Sequence, residues 1–101
     1  MTEFEPWYPL AAGGAHVPAS PGVFQVRLAA GLVDYPSGKS AMIYYAGADD
    51  LRTAVRAFAA ANPGVGWLCR HQVTADHDAL LTRLLARFAI RFGSTPRRDL
   101  G

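Results

Sequence analysis

The chain has 101 residues, half of them hydrophobic, and its formal net charge is +2 at pH 7. This length and this apolar content predict one folded domain and argue against a disordered chain. No stretch approaches the roughly 18 uninterrupted apolar residues of a membrane-spanning helix, so no membrane partner is expected. Glu3 and Glu5 lie where an export signal carries positive charge, and the expected location is therefore cytoplasmic.

Residues 1–20 are predicted to form an extended N-terminal segment. Three prolines and a Gly-Gly pair favour an irregular path over the surface. Trp7, Tyr8 and Leu10 are too apolar for a free tail. We therefore expect this segment to pack on the domain, which is assigned to residues 21–96.

Two strands are predicted at the start of the domain. Residues 23–29 alternate with a period of two, which directs one apolar set to the core: Phe24, Val26 and Leu28. Residues 31–40 contain several turn formers and predict an enlarged hairpin connection. Residues 41–46 are predicted to be the returning strand, because Ile43 and two tyrosines favour extended structure.

Two helices and a third strand complete the predicted domain. Asp49 or Asp50 is a good N-cap for a helix over residues 51–61, which an Asn-Pro-Gly sequence ends. Residues 67–73 predict a strand, on which the lone Cys69 is expected to be a small buried residue. A second helix is predicted to contribute most to the core and to end at Gly93. Residues 97–101 are predicted to be a polar tail.

Three short motifs lie on these elements. Gly22-Val23-Phe24 begins the first strand, Tyr45-Ala46-Gly47 ends the second, and Asp50-Leu51-Arg52 opens the first helix. These motifs and the order β-β-α-β-α resemble the GIY-YIG nuclease domain over about residues 20–96. The resemblance implies an α/β (α+β) fold with a small three-stranded antiparallel sheet flanked by helices.

The resemblance also implies a catalytic site, which this chain keeps only in part. Members of the family cleave a phosphodiester with water activated near a tyrosine, an arginine that steadies the phosphoryl charge, and a metal-binding glutamate. Tyr45 is the candidate catalytic residue, and a packing role is its alternative. Phe24 replaces the tyrosine of the first motif, and Ala54 stands where the arginine is expected.

No cofactor is predicted for a degenerate domain of this kind. The metal-binding glutamate would lie near residues 81–84, where Thr82 and Arg83 stand. The only glutamates of the chain are in its first five residues. Mg²⁺ or Mn²⁺ is expected only if the chain is a divergent nuclease that uses Asp76 or Asp78 in place of the glutamate.

Arginines make the second half of the chain basic. Residues 51–101 contain eight arginines against three aspartates. On the second helix Arg83, Arg87 and Arg91 recur every four residues, a pattern that suits a phosphate backbone and equally suits a solvated outer face. Arg52 and Arg56 on the first helix are further candidates for nucleic-acid contact.

Three functions are compatible with this sequence. The first is a catalytically degenerate GIY-YIG-like domain that binds nucleic acid or a protein partner as an accessory module. The second is a divergent metal-dependent endonuclease that uses Tyr45. The third is a purely structural subunit of a larger complex, for which the apolar N-terminal segment is the clue.

Overall fold

This computed structural model describes residues 4–96, so the predicted tail at 97–101 lies outside the described residues. Six strands and three helices follow one another in this range. In chain order they are β1 (Tyr8–Pro9), α1 (Gly13–His16), β2 (Gly22–Arg27), β3 (Val33–Tyr35), β4 (Gly38–Ser40), β5 (Met42–Ala48), α2 (Leu51–Ala61), β6 (Leu68–Val73) and α3 (His77–Phe92), with a 3-10 turn at Leu10–Ala12.

β2 is the centre of the main sheet, with β5 on one side and β6 on the other, and both pair with it antiparallel. Phe24 and Val26 are buried as the alternation predicted. Val23 and Gln25, which point to the opposite face, are buried as well. The central strand therefore has a covered surface on both sides, and the described chain is a small antiparallel α+β domain.

The main sheet has four strands, where the resemblance predicted three. β1 adds to the edge of β6, with Tyr8 opposite Cys69. The backbone N–H of Glu5 extends this attachment by donating to the carbonyl of His71 over 2.8 Å. An edge strand presents unpaired backbone groups, and the N-terminal segment supplies partners for those of β6.

The connection between β2 and β5 forms a second sheet, in which β3 and β4 pair antiparallel. The sequence predicted a hairpin connection here without its own strands. Tyr35 fixes its position, since its hydroxyl donates to the carbonyl of Met42 over 2.6 Å and its ring meets that of Phe88 edge-on at 5.0 Å. The connection therefore packs against α3.

α2 has the bounds that the sequence predicted. Asp50 is its N-cap and accepts a hydrogen bond from the backbone N–H of Thr53 over 3.1 Å. Leu51, Val55 and Phe58 form its buried stripe. This stripe faces the sheet and fixes α2 on one face of it.

α3 covers the opposite face of the main sheet. The ring of Tyr44 stacks on Phe58 of α2 with 4.5 Å between centroids, whereas the ring of Tyr45 meets Phe88 of α3 edge-on at 5.7 Å. Because successive strand residues point to opposite faces, α2 and α3 lie on opposite sides of the sheet. α1 packs beside α2, where Gly13 lies against Val55.

The contribution of α3 to the core is smaller than predicted. Phe88 is the one residue of α3 that is fully buried in the described chain, and the other apolar residues of its inner face are half-buried. Among the helices in residues 4–96, α3 alone covers its face, whereas α1 joins α2 on the other face. The helix ends at Gly93, as predicted, in a left-handed conformation with φ of 84°.

Candidate functional site

The two triplets of the resemblance place their aromatic positions on opposite faces of the sheet. In the register of β2 and β5, Phe24 lies opposite Ala46 and Gln25 lies opposite Tyr45. Directly opposed residues share a face, so Phe24 points towards α2 and Tyr45 towards α3. Phe24 is only 2% exposed, and its ring centroid lies 6.0 Å from that of Phe58. These two positions do not meet in one site.

Tyr45, the candidate catalytic residue, is half-buried beside Phe88. Burial raises the pKa of Tyr45 to about 12, and the nearby positive charge of Arg70 opposes the increase. The phenol is therefore protonated at neutral pH. In this state it can donate a hydrogen bond, and it is a poor general base.

Arg52 and Arg56 hold the N-terminal segment against α2. Arg52 Nε donates to the carbonyl of Val17 over 2.9 Å. The side chain of Arg56 runs along Gly14, where an added Cβ would lie 2.7 Å from Arg56 Nε. Both arginines are exposed, and both have a local structural contact.

Arg83, Arg87 and Arg91 are exposed along the outer surface of α3. The guanidinium of Arg91 lies 4.8 Å from the ring centroid of Phe92. Since α2 and α3 cover opposite faces of the sheet, the structure separates these three arginines from Arg52 and Arg56. The five predicted nucleic-acid contacts thus form two groups.

The region that the resemblance assigns to a metal has no carboxylate on α3. Thr82 and Arg83 are exposed there. Asp76 occupies the N-cap position of α3, and the carboxylate of Asp78 lies 3.3 Å from Nδ1 of His77. Within residues 4–96, no three His, Cys, Asp or Glu side chains are grouped closely enough to hold a metal ion.

Sequence reasoning missed two neighbouring arginines on the sheet, Arg27 and Arg70, here called the arginine pair. Gln25 of β2 lies opposite Arg70 of β6, and Arg70 Nε donates to Gln25 Oε1 over 2.7 Å. The two guanidiniums lie 4.7 and 4.5 Å from the ring centroid of Trp7. The available signal was the polar set Gln25 and Arg27, which alternates with Phe24 and Val26 along a strand.

A second cluster that sequence reasoning missed surrounds His71 on the α2 face. The hydroxyl of Tyr8 lies 2.9 Å from Nδ1 of His71, and the ring of His16 stacks on that of Tyr8 at 4.6 Å. Burial lowers the pKa of His71, so its neutral form is favoured. A cavity of about 190 Å³ lies beside these groups and is lined also by Glu5 and Trp7.

Cys69 is fully buried on β6, as the sequence predicted. Burial raises the pKa of its thiol to about 11, and a contact with Tyr8 opposes the increase. A thiol with this pKa stays protonated at neutral pH and is a weak nucleophile. Cys69 therefore acts as a small apolar residue.

Comparisons of the chain with protein-family models, with curated proteins and with solved structures gave no match. Within the described residues, no helix is both long enough and apolar enough to span a membrane. The fold and the exposed charges thus define the class, a small antiparallel α+β domain with arginines on two separate surfaces.

Proposed function

We propose that the chain is a catalytically degenerate GIY-YIG-like domain that binds nucleic acid through α3. The observation that carries the proposal is the row of Arg83, Arg87 and Arg91 on the exposed side of that helix. No carboxylate pairs with any of the three within residues 4–96. After Asp78 the helix sequence contains no acidic residue. The row therefore presents an uncompensated positive surface.

The spacing of the row supports contact with phosphates. Residues four apart on a helix are separated by about 6 Å along its axis, close to the rise of about two nucleotides in one strand of a duplex. Each guanidinium offers a planar fork of donors that matches phosphate oxygens. Arg83, Arg87 and Arg91 can in this way contact successive phosphates without reading the bases.

The proposed loss of catalysis is supported by the residues that stand at the catalytic positions of the family. Phe24 has no hydroxyl, and it is packed against Phe58 on the face opposite Tyr45. Thr82 and Arg83 stand in the region assigned to the metal-binding glutamate. The likeness itself is supported by the order β2, β5, α2, β6, α3, into which β3 and β4 are inserted.

Fluorescence anisotropy tests the binding. Labelled duplex and single-stranded oligonucleotides are titrated with the chain at several salt concentrations, and the variant Arg83→Gln/Arg87→Gln/Arg91→Gln is compared with the unmodified chain. We expect the variant to bind more weakly and its salt slope to decrease by roughly 0.7 to 0.9 for each phosphate that it no longer neutralises. Arg52→Gln/Arg56→Gln, on the opposite side of the sheet, is the control and retains most of the binding.

Three outcomes would overturn the proposal. Undetectable binding at low salt removes the nucleic-acid function and favours a protein-interaction or purely structural module. A larger decrease in affinity in the α2 variant than in the α3 variant assigns the surface to α2. Cleavage that requires Mg²⁺ or Mn²⁺ and disappears in Tyr45→Phe indicates an active nuclease.

A further inference from the structure

The arginine pair places two positive charges together on the sheet face that α3 covers in part. Gln25 lies opposite Arg70 and Arg27 lies opposite Leu68, so the two arginines are diagonal neighbours on β2 and β6. Diagonal neighbours are within reach of long side chains. Burial lowers the pKa of Arg70, the neighbouring Tyr45 opposes this change, and the positive charge of Arg27 adds to it. The two guanidiniums therefore repel one another in the described chain.

No carboxylate offsets this repulsion within residues 4–96, where neither arginine forms an ion pair. Glu5 is the acidic residue in the described part of the neighbouring N-terminal segment. Its charge acts on the α2 face, where burial raises the pKa of Tyr8 and Glu5 adds to this change, and where burial lowers the pKa of His71 and Glu5 opposes it. Asp34 pairs with Lys39 in the hairpin, and Asp49 and Asp78 contact His77 at the start of α3.

The guanidiniums are held in place and keep free donors. Arg70 uses Nε on Gln25, which leaves its terminal nitrogens available. Arg27 Nε is buried and has no hydrogen-bond partner in the described part of the chain. The rings of Trp7 and Phe4 lie over the guanidinium of Arg70 at 4.5 and 4.7 Å, and Trp7 also lies 4.7 Å from that of Arg27. These cation–π contacts hold both guanidiniums against the aromatic rings of the N-terminal segment.

We infer that the arginine pair is a binding site for a phosphate oxyanion. Two guanidinium forks suit a tetrahedral anion that carries several acceptor oxygens and more than one negative charge. Tyr45 lies in the same cross-strand row, opposite Gln25, and supplies a third donor from its hydroxyl. The site lies on strands β2, β5 and β6, apart from the arginine row of α3, and does not depend on the nucleic-acid function.

Binding of an anion here offsets the unfavourable features of the arginine pair. The negative charge offsets the repulsion between Arg27 and Arg70, and the oxygens accept from donors that have no partner in the described chain. The phosphate has two possible sources, a free phosphomonoester or a phosphate of a nucleic acid. Both present the same oxygens to the two guanidiniums.

Proton–nitrogen NMR of the arginine Nε–H groups tests the site on the full chain. Inorganic phosphate is titrated at constant ionic strength, with chloride as the reference anion. We expect saturable shifts of the Arg27 and Arg70 signals, and an affinity at least about tenfold weaker in Arg27→Gln or Arg70→Gln. Lys39→Gln removes the same charge from the exposed β3–β4 hairpin and should leave the affinity within about twofold.

Further experiments distinguish the two sources of the phosphate and test whether the site requires a guanidinium. A short oligonucleotide with a 5′-phosphate is compared with its 5′-hydroxyl form at the Arg27 and Arg70 signals: selective shifts with the first indicate a monoester, and equal shifts indicate the backbone. Arg70→Lys keeps the charge and loses the fork, so weaker binding by a folded Arg70→Lys chain supports the proposal. Equal shifts with chloride would overturn it.

Discussion

The hydroxyl of Tyr8 lies 2.9 Å from Nδ1 of His71, a contact that joins the N-terminal segment to the central sheet. Both residues are buried. Tyr8→Phe keeps the ring and leaves a buried imidazole nitrogen without its partner. We expect a decrease of about 1–3 kcal/mol in the free energy of unfolding, measured by urea denaturation. Tyr45→Phe, at a half-buried hydroxyl, is the control and should cost less; an equal cost in both variants would contradict the assignment.

The buried state of His71 makes stability depend on pH below neutrality. Burial lowers its pKa, the charge of Glu5 opposes this change, and that of His16 adds to it. Below about pH 6.5 the unfolded chain takes up a proton at His71 before the folded chain does. The contribution of neutral His71 to stability is therefore complete above that pH and decreases as the pH falls towards the pKa of His71 in the folded chain. In His71→Gln the decrease between about pH 7.5 and about pH 5 should be smaller than in the unmodified chain, and an unchanged decrease would contradict this account.

His77 has the opposite dependence. Its Nε2 lies 2.8 Å from the carboxylate of Asp49, and this hydrogen bond raises the pKa of His77, as do the charges of Asp78 and Asp76. The protonated form contributes stability that is complete below the unfolded pKa and is lost as pH rises through the folded pKa. An NMR titration of the His77 ring should give a lower pKa in Asp49→Asn. Asp34→Asn, in the β3–β4 hairpin, is the matched control and should leave the His77 pKa unchanged.

Local signals predicted the elements that local interactions determine. Asp50 and the Asn-Pro-Gly sequence predicted both ends of α2, because a cap and a helix terminator act within a few residues. The sequence did not predict β1, because a strand of two residues that includes Pro9 has no recognisable strand pattern. β1 forms because the edge of β6 offers backbone hydrogen-bond partners. β6 is distant in the sequence, so the residues around β1 do not indicate this pairing.

The candidate sites depend on register, which the sequence does not show. Whether Phe24 and Tyr45 share a face depends on the register of β2 and β5, which are joined by a long connection. A register shift between Val26 and Arg27 also changes which residues lie opposite one another. The arginine pair needs β6 beside β2 with Gln25 opposite Arg70. The row on α3 was predictable, because a four-residue repeat on a helix defines a surface without tertiary information.

The glycines of the two triplets allow close approach, and they should differ in their tolerance to alanine. A Cβ on Gly22 would lie 2.3 Å from the backbone oxygen of Gln72, whereas one on Gly47 would lie 2.9 Å from Nδ1 of His77. The backbone of Gln72 is held in the sheet and cannot move to make room for a Cβ. The side chain of His77 lies at the start of a helix and can adjust more easily. Gly22→Ala should therefore cost about 1–3 kcal/mol or more in the free energy of unfolding, and Gly47→Ala less. Urea denaturation of both variants checks the order, which a greater cost for Gly47→Ala would contradict.

Restoring tyrosine at Phe24 tests whether the position still belongs to a catalytic site. The Phe24 side chain is 2% exposed and lies among the rings of Tyr44 and Phe58. A hydroxyl added there is buried without a partner, so Phe24→Tyr should lower the free energy of unfolding by about 1–3 kcal/mol. Phe92→Tyr, at a half-buried ring, is the control and should cost less than about 1 kcal/mol. Nuclease assays with Mg²⁺ and Mn²⁺ should show no cleavage by either variant. A stable Phe24→Tyr chain that cleaves nucleic acid would show that the α2 face has kept the geometry of an active site.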